Sequence, residues 1–207
     1  MGAQKRAKTT TAFHAHRLIL KDGAPLLAEL CKPSGGSVAT VSITDVEPYI
    51  FRHMLYYAYG GELSEEDMKT NAKDIIDACD KYGVVSLKLE AEACYVKSTS
   101  IDIDNMMDNL LYADAKNCAL LKEAVVDFVV GNGNDILGKI SFNNVPGSVV
   151  TDILTAVTRE KNKVANVEST GSQLTTMRVS ELRRKLDDKG LDVDGSREAM
   201  ITALQKS

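Results

Sequence analysis

Chemistry needs particular side chains at particular spacings, and this 207-residue chain offers few. His14-x-His16 would place two imidazoles on one face of an extended strand, because positions i and i+2 align there. His53 is the one other histidine and no cysteine lies near in sequence, so the donors fall short of the four that a zinc site takes. Asp102-x-Asp104-Asn105 has the opening spacing of a calcium loop without its turn glycine or its later bidentate glutamate, and reads instead as a helix cap. Gly131-x-Gly133 with Gly138 follows a helical face rather than a strand and is no dinucleotide loop; it reads as a helix end. No Ser, Cys or Lys stands with a base and an orienting group. The sequence therefore points to no catalytic, cofactor or metal residue, and away from an enzyme. What remains is charge. In the last 32 residues Arg178, Arg183, Arg184, Lys185, Lys189, Arg197 and Lys206 stand against six acids. The contiguous Arg183-Arg184-Lys185, with Arg178, Lys189 and Arg197, are the candidate phosphate contacts. On charge alone, a solvated helix face explains that run as well.

Composition narrows the class. Apolar residues make up 44%, enough for a core, and the net charge is −4. Such a chain is not a basic nucleic-acid coat, so any DNA contact is local and weak, strongly salt-dependent and mostly sequence-independent. With no Trp and four Phe it lacks the means for a broad base-stacking surface. Cys31, Cys79, Cys94 and Cys118 form no C-x-x-C pair, which argues for free thiols and a reducing compartment. No membrane-spanning run or hydrophobic signal core is visible, so a soluble, intracellular protein is expected.

The elements that must position these residues follow from periodicity. Residues 1–11 are polar and read as a disordered tail; Lys5, Arg6 and Lys8 are too few for a firm nuclear-import patch. A short strand is expected at Ala12–Ala15, helices at His16–Leu20 and Ala24–Cys31, and a loop at Lys32–Ser37. Val41 and Ile43 alternate with Ser42 and Thr44, a strand signal. Pro48 suits a first helical position, and Phe51, Met54, Leu55 and Ala58 share a helix face up to Gly60-Gly61. Ile75, Ile76, Cys79 and Tyr82 form the next face, stopped by Gly83. Further faces are Leu87, Ala91, Cys94 and Tyr95, with Ser86 as cap; Met107, Leu110, Leu111 and Asp114; Leu121, Val125, Phe128 and Val129; and Val149, Val150, Ile153, Leu154 and Val157. Arg159–Thr176 has the composition of a linker. The tail pairs a stripe at Val179, Leu182 and Leu186, with Ser180 able to cap, with a second at Met200, Ile201 and Leu204. Gly190 and Asp194-Gly195 turn the chain between them.

Two blocks carry a resemblance. "FHAHRLIL" (Phe13–Leu20) followed by "DVEPYIFRHMLYYAYGGEL…DACDKYGVVSLK" resembles a BTB/POZ domain of the kind found in speckle-type POZ proteins. "LLYADAKNCALLKEAVVDFV" is similar to the BACK or three-box helical extension of those proteins. The last 32 residues resemble a SAP motif, with Ala203 where a basic residue is usual. The implied organisation is a tail (1–11), an N-terminally shortened BTB/POZ domain (12–98), a BACK-like extension (99–158), a linker (159–176) and a SAP-like domain (177–207). The implied fold class is α+β: a helical cluster with a small sheet, further helices, and a separate C-terminal helix-loop-helix unit.

The resemblance implies a protein–protein interaction adaptor that serves a cullin-based ubiquitin ligase, works in protein ubiquitination and is tethered to DNA in the nucleus. The alternative is a nuclear scaffold or transcription-associated protein that never meets cullin, and the cytoplasm is the alternative location. The partner surface is expected at Leu30, Cys31, Lys32, Pro33, Tyr59 and Tyr82. No cofactor and no membrane partner are implied. The shortened front end argues against the usual BTB homodimer, and the loop "KPSGGS" lacks the apolar-then-acidic pair that cullin scaffolds read.

Overall fold

The computed structural model describes residues 11–32, 39–136, 145–165 and 173–207. The chain divides into two compact units, Met1–Lys88 and Leu89–Ser207.

In the first unit α1 (Arg17–Gly23) turns into α2 (Pro25–Leu30), with Pro25 at the first helical position, where its missing N–H leaves nothing unpaired. Gly23 is where α1 closely approaches the end of the third helix: a Cβ there would lie 2.9 Å from the Ala58 carbonyl oxygen. Helix α3 (Pro48–Ala58) starts on Pro48 as expected and buries Ile50, Phe51, Met54 and Leu55. Gly60, at φ 85°, takes the left-handed turn beyond it. Helix α4 (Glu65–Tyr82) starts ten residues before Ile75, the first residue of the expected apolar face, and is kinked at Asn71, whose backbone angles are non-helical. Ser64 caps the true start by accepting the Asp67 N–H, and Glu65, Glu66 and Asp67 suit the positive end of the helix dipole. Gly83 ends α4 at φ 77°. The two sequence blocks meet in an aromatic row, with Phe13 and Phe51 centroids 5.2 Å apart and Phe51 and Tyr82 6.2 Å apart.

The small sheet is not there. Among the described residues the segments 11–16 and 39–44 carry no strand, and every regular element is helical, so the α+β expectation is corrected to an all-helical one. Alternation at Val41 and Ile43 reports only a local preference for extended backbone. A sheet also needs a neighbour to satisfy its N–H and C=O groups, and no such pairing joins these short segments. Pro33 and most of the "KPSGGS" loop lie outside the described residues.

Helix α5 (Val85–Ser98) contains the boundary between the units and begins one residue before Ser86, which is therefore inside the first turn rather than capping it. In the second unit follow α6 (Met106–Ala115), α7 (Ala119–Gly131), α8 (Gly133–Ile136), α9 (Gly147–Ala165), a 3-10 turn (Gln173–Thr175), α10 (Val179–Asp187) and α11 (Arg197–Lys206). The Asp102 carboxylate accepts the N–H groups of Asp104 and Asn105 at 3.0 and 2.9 Å and shapes the turn ahead of α6, but the residue at the N-cap position is Asn105, not Asp102. The buried face of α6 is Met106, Asn109, Leu110 and Ala113, while Leu111 is exposed. The expected stripe was one residue out of register because the Met-Met and Leu-Leu doublets fit either face. Helix α7 packs against α6, α9 and α10 and is the centre of this unit. Helix α9 continues to Ala165, into the stretch of linker composition.

The C-terminal pair buries Val179, Leu182, Leu186, Met200 and Leu204 of its two predicted stripes in one cluster, with Ile201 partly buried against it. That cluster also contains Ala119 of α7, with Leu120 packed on it. The small unit completes its core with residues of the preceding helices.

Candidate interfaces for protein and for nucleic acid

A partner-binding surface needs exposed apolar groups on a fixed frame. In the first unit Leu18, Leu26 and Leu30 of α1 and α2, and Tyr49 and Tyr56 of α3, with Tyr59 just beyond it, are exposed large side chains. Tyr59 is held in place: its hydroxyl oxygen accepts the His16 backbone N–H at 2.7 Å and lies 2.9 Å from His16 Nδ1. The histidine of the opening motif thus pins α1 to the end of α3. Of the expected partner residues, Leu30 and Tyr59 are exposed and Cys31 is half-buried. Lys32 is exposed and paired with Glu29, and Pro33 lies outside the described residues. Tyr82 is only 2% exposed. It is a core residue whose hydroxyl donates to Asp45 at 3.4 Å, beside the 2.6 Å ion pair between Lys81 and Asp45. That ammonium holds the Asp45 carboxyl below the ordinary aspartate value.

The candidate phosphate contacts of the second unit divide into two groups. Arg184 is exposed and Lys185 half-exposed, and neither has an ion pair among the described residues. Lys189 is exposed and donates to the Ser207 hydroxyl at 2.8 Å. The other three are engaged internally. The Arg183 guanidinium donates to Glu92 of α5 at 2.7 Å. Arg178 pairs with Asp127 and lies 3.5 Å from Glu123, both on α7. Arg197 donates to the carbonyls of Thr175 and Met177 at 2.8 and 2.6 Å, tying α11 to the segment that leads into α10.

The carboxylates opposite these arginines were not singled out by sequence reasoning, and they hold the helices together. Glu92 is 1% exposed. One of its oxygens accepts the Leu120 and Leu121 N–H groups at 2.8 and 3.1 Å, and the other takes Arg183. It therefore satisfies two of the unpaired donors at the start of α7, where a negative charge also meets the positive helix end. Glu123 repeats the device one helix later. Its two oxygens each lie 3.3 Å from the Val179 N–H, the first residue of α10. Ser180, expected to cap, is inside α10; the Val179 N–H is met by Glu123 from 56 residues away, and the Arg178 N–H by the Glu181 carboxylate at 3.0 Å. The available signal was Lys122-Glu123 set in "ALLKEAVVDFVV", a helix apolar nearly all round. Charges in such a helix are buried and must be paired.

Lys122 bridges Asp114 of α6 and Asp152 of α9 at 2.8 and 2.5 Å. Burial disfavours its charge, but the two carboxylates outweigh that and hold it above the ordinary lysine value. Asp152 and Glu198 of α11 share a hydrogen bond at a small cleft that Arg197 and Glu123 also line. Burial, with Glu198 adding to it, pushes Asp152 up to about 6 against the pull of Lys122. Burial is the largest influence on Glu198 and acts to raise it, but the hydrogen bonds from Asp152, the backbone and Ser196, with the charge of Lys122, together outweigh it and hold Glu198 below its ordinary value.

Two helical units, one with exposed apolar side chains and one with a cation-bearing helix pair, describe a molecule made of interaction domains. Residues 6–99 match the family model of the BTB/POZ domain, and residues 173–207 that of the SAP domain. The chain carries a BTB/POZ domain, a protein–protein interaction domain, and a SAP domain, a DNA-binding domain. Among its relatives is a BTB/POZ and MATH domain-containing protein 4 of Arabidopsis thaliana, 28% identical over 135 residues, 58% of this chain and 29% of that protein. Another is a TD and POZ domain-containing protein 1-like of Mus musculus, 28% identical over 126 residues, 60% of this chain and 34% of that protein. The match thus spans about a third of the length of these relatives. No helix among the described residues is long and apolar enough to cross a membrane.

Proposed function

We propose that this protein is an adaptor that holds a protein partner on its BTB/POZ domain and DNA on its SAP domain, and works in the nucleus. In the finer form of this reading the partner is the scaffold of a cullin-based ubiquitin ligase, and the SAP domain brings substrates within reach on chromatin. The observation that carries the adaptor reading is the combination of exposed Leu18, Leu26, Leu30, Tyr56 and Tyr59 in one unit with Arg184 and Lys185, which have no ion pair among the described residues, in the other. The first group supplies apolar area to a protein surface; the second supplies charge to phosphate. A second reading, a nuclear scaffold that does not bind cullin, is favoured by the Lys32-Pro33-Ser34-Gly35 sequence, which offers no acidic residue to such a scaffold.

Mixing the protein with a cullin N-terminal domain separates the two. A complex at concentrations on the order of tens of micromolar supports the ligase reading, and none supports the scaffold. The DNA arm is tested by titrating an AT-rich duplex over a range of salt. Arg184→Gln with Lys185→Gln should weaken binding and flatten the plot of log affinity against log salt by about 1.8, two phosphate contacts' worth. An unchanged slope would refute phosphate contact by this pair.

A further inference from the structure

Anions already occupy much of what the C-terminal helix pair has to offer a phosphate. A helix N-terminus with free N–H groups attracts anions, and so does an arginine fork. At the start of α10 the Glu123 carboxylate sits against the Val179 N–H, and Arg178, at the same end, lies against Glu123 and Asp127. One turn along the helix, Arg183 is taken by Glu92, with 15% of the arginine side chain and 1% of the glutamate side chain exposed. A duplex approaching this face meets carboxylates where it would need cations.

We propose that the C-terminal helix pair is held in a closed form, in which Glu92, Glu123 and Asp127 occupy the arginines and the helix end that DNA phosphates would otherwise engage. Docking and full DNA engagement are then competing uses of Arg178, Arg183 and the start of α10. The proposal rests on the DNA-binding reading above and adds to it a reserve of affinity. Of the candidate phosphate contacts, Arg184, Lys185 and Lys189 face phosphate in the closed form; on opening, Arg178 and Arg183 join them. The closed form is also built to be left. A buried ion pair offsets its desolvation only when every donor is satisfied, and the buried Arg183 Nε–H has no hydrogen-bond partner among the described residues. Transfer to a phosphate, which accepts hydrogen bonds on several oxygens, would satisfy it.

The test compares three full-length proteins on one AT-rich duplex across a range of salt. They are the wild type, Glu92→Gln with Glu123→Gln and Asp127→Asn, and a charge-matched control, Asp104→Asn with Asp108→Asn and Asp135→Asn. The control removes three exposed carboxylates of the same unit that hold no arginine. The amides of the first variant still offer an oxygen to the Leu120, Leu121 and Val179 N–H groups but no longer a charge to Arg178 and Arg183. Its binding should tighten, and its salt slope steepen by about 1.8 relative to the wild type, for two added phosphate contacts. The control should keep the wild-type slope. Adding Arg183→Gln to the first variant should take back about half of the steepening. If the triple variant melts without a cooperative transition, Glu92→Gln alone carries the test, with an expected steepening of about 0.9. Wild-type binding with no steepening in the variant, or equal steepening in the control, overturns the closed form and leaves the DNA reading standing. No binding by any of the proteins at low salt overturns both.

Discussion

Glu92 shows how much one buried side chain can hold. Its two oxygens join three helices, α5 that carries it, α7 whose first N–H groups it satisfies, and α10 whose Arg183 it neutralises. Removing one member of a buried pair leaves the other charge uncompensated, which costs about 3–5 kcal/mol. Glu92→Ala should therefore lower the unfolding free energy by that order, read from urea denaturation. Glu92→Gln, which keeps the volume and the acceptor for Leu120 and Leu121 but not the charge opposite Arg183, should cost less, and equal losses would mean that the charge on Arg183 accounts for the whole effect. Gly83 makes a second residue-scale claim. Its φ of 77° is left-handed, and a Cβ there would stand 3.0 Å from Leu26 Cγ. Gly83→Ala should cost about 1–2 kcal/mol from the backbone angle alone, read by the same denaturation. Cys79 should be inert: burial pushes its thiol up to about 12, so a maleimide at neutral pH should label it only as fast as the protein unfolds.

Between elements, the outcome was legible where the signal is local. The faces of α3, the latter half of α4, α10 and α11 follow directly from 3.6-residue spacing, and Pro48, Gly60, Gly83 and Gly190 mark ends that the backbone angles explain. What escaped was long-range. Alternation at Val41–Thr44 looked like a strand because periodicity says nothing about a neighbour. Ser180 looked like a cap because nothing in the local sequence announces Glu123. Arg178, Arg183 and Arg197 looked solvated because charge runs carry no record of what faces them. The contact between α9 and α11 belongs to this hidden class and carries a pH signature. Asp152 is raised from 3.8 to about 6, so its protonated form is the one the fold favours. Its contribution to stability is whole below about pH 4 and is lost as pH rises through about 6. Glu198, held below its ordinary value, works in the opposite sense at lower pH. Lys122 of α7 supports the ionised pair, with Asp114 sharing its charge and Arg197 and Glu123 lining the same cleft. Asp152→Asn, which cannot ionise, should gain stability relative to the wild type as pH is raised from 5 to 7.5, measured by urea unfolding at each pH. A difference that does not change with pH would place Asp152 outside the control of this contact.

For the molecule as a whole, the SAP domain is more than an attachment to the helices before it. Its apolar cluster takes in Ala119 and Leu120, its first helix is capped by Glu123, and its arginines neutralise carboxylates on α5 and α7. Each link also works in reverse. Without residues 173–207, Ala119 and Leu120 face water, and Glu92, Glu123 and Asp127 lose their arginine partners. Exposing a side chain the size of Leu120 costs about 2 kcal/mol. The loss of counter-charge matters less, since the freed glutamates can hydrate once uncovered. Deleting 173–207 should therefore destabilise the second unit by roughly that amount, with faster amide hydrogen exchange at Leu120, Leu121 and Val125 of α7. Exchange in α3, in the other compact unit, should stay as it was. Unchanged exchange in α7 would mean that the tail is a passenger. Accelerated exchange would mean that tests of DNA binding in this protein must use point substitutions, because truncation also loosens the helices that hold the closed form.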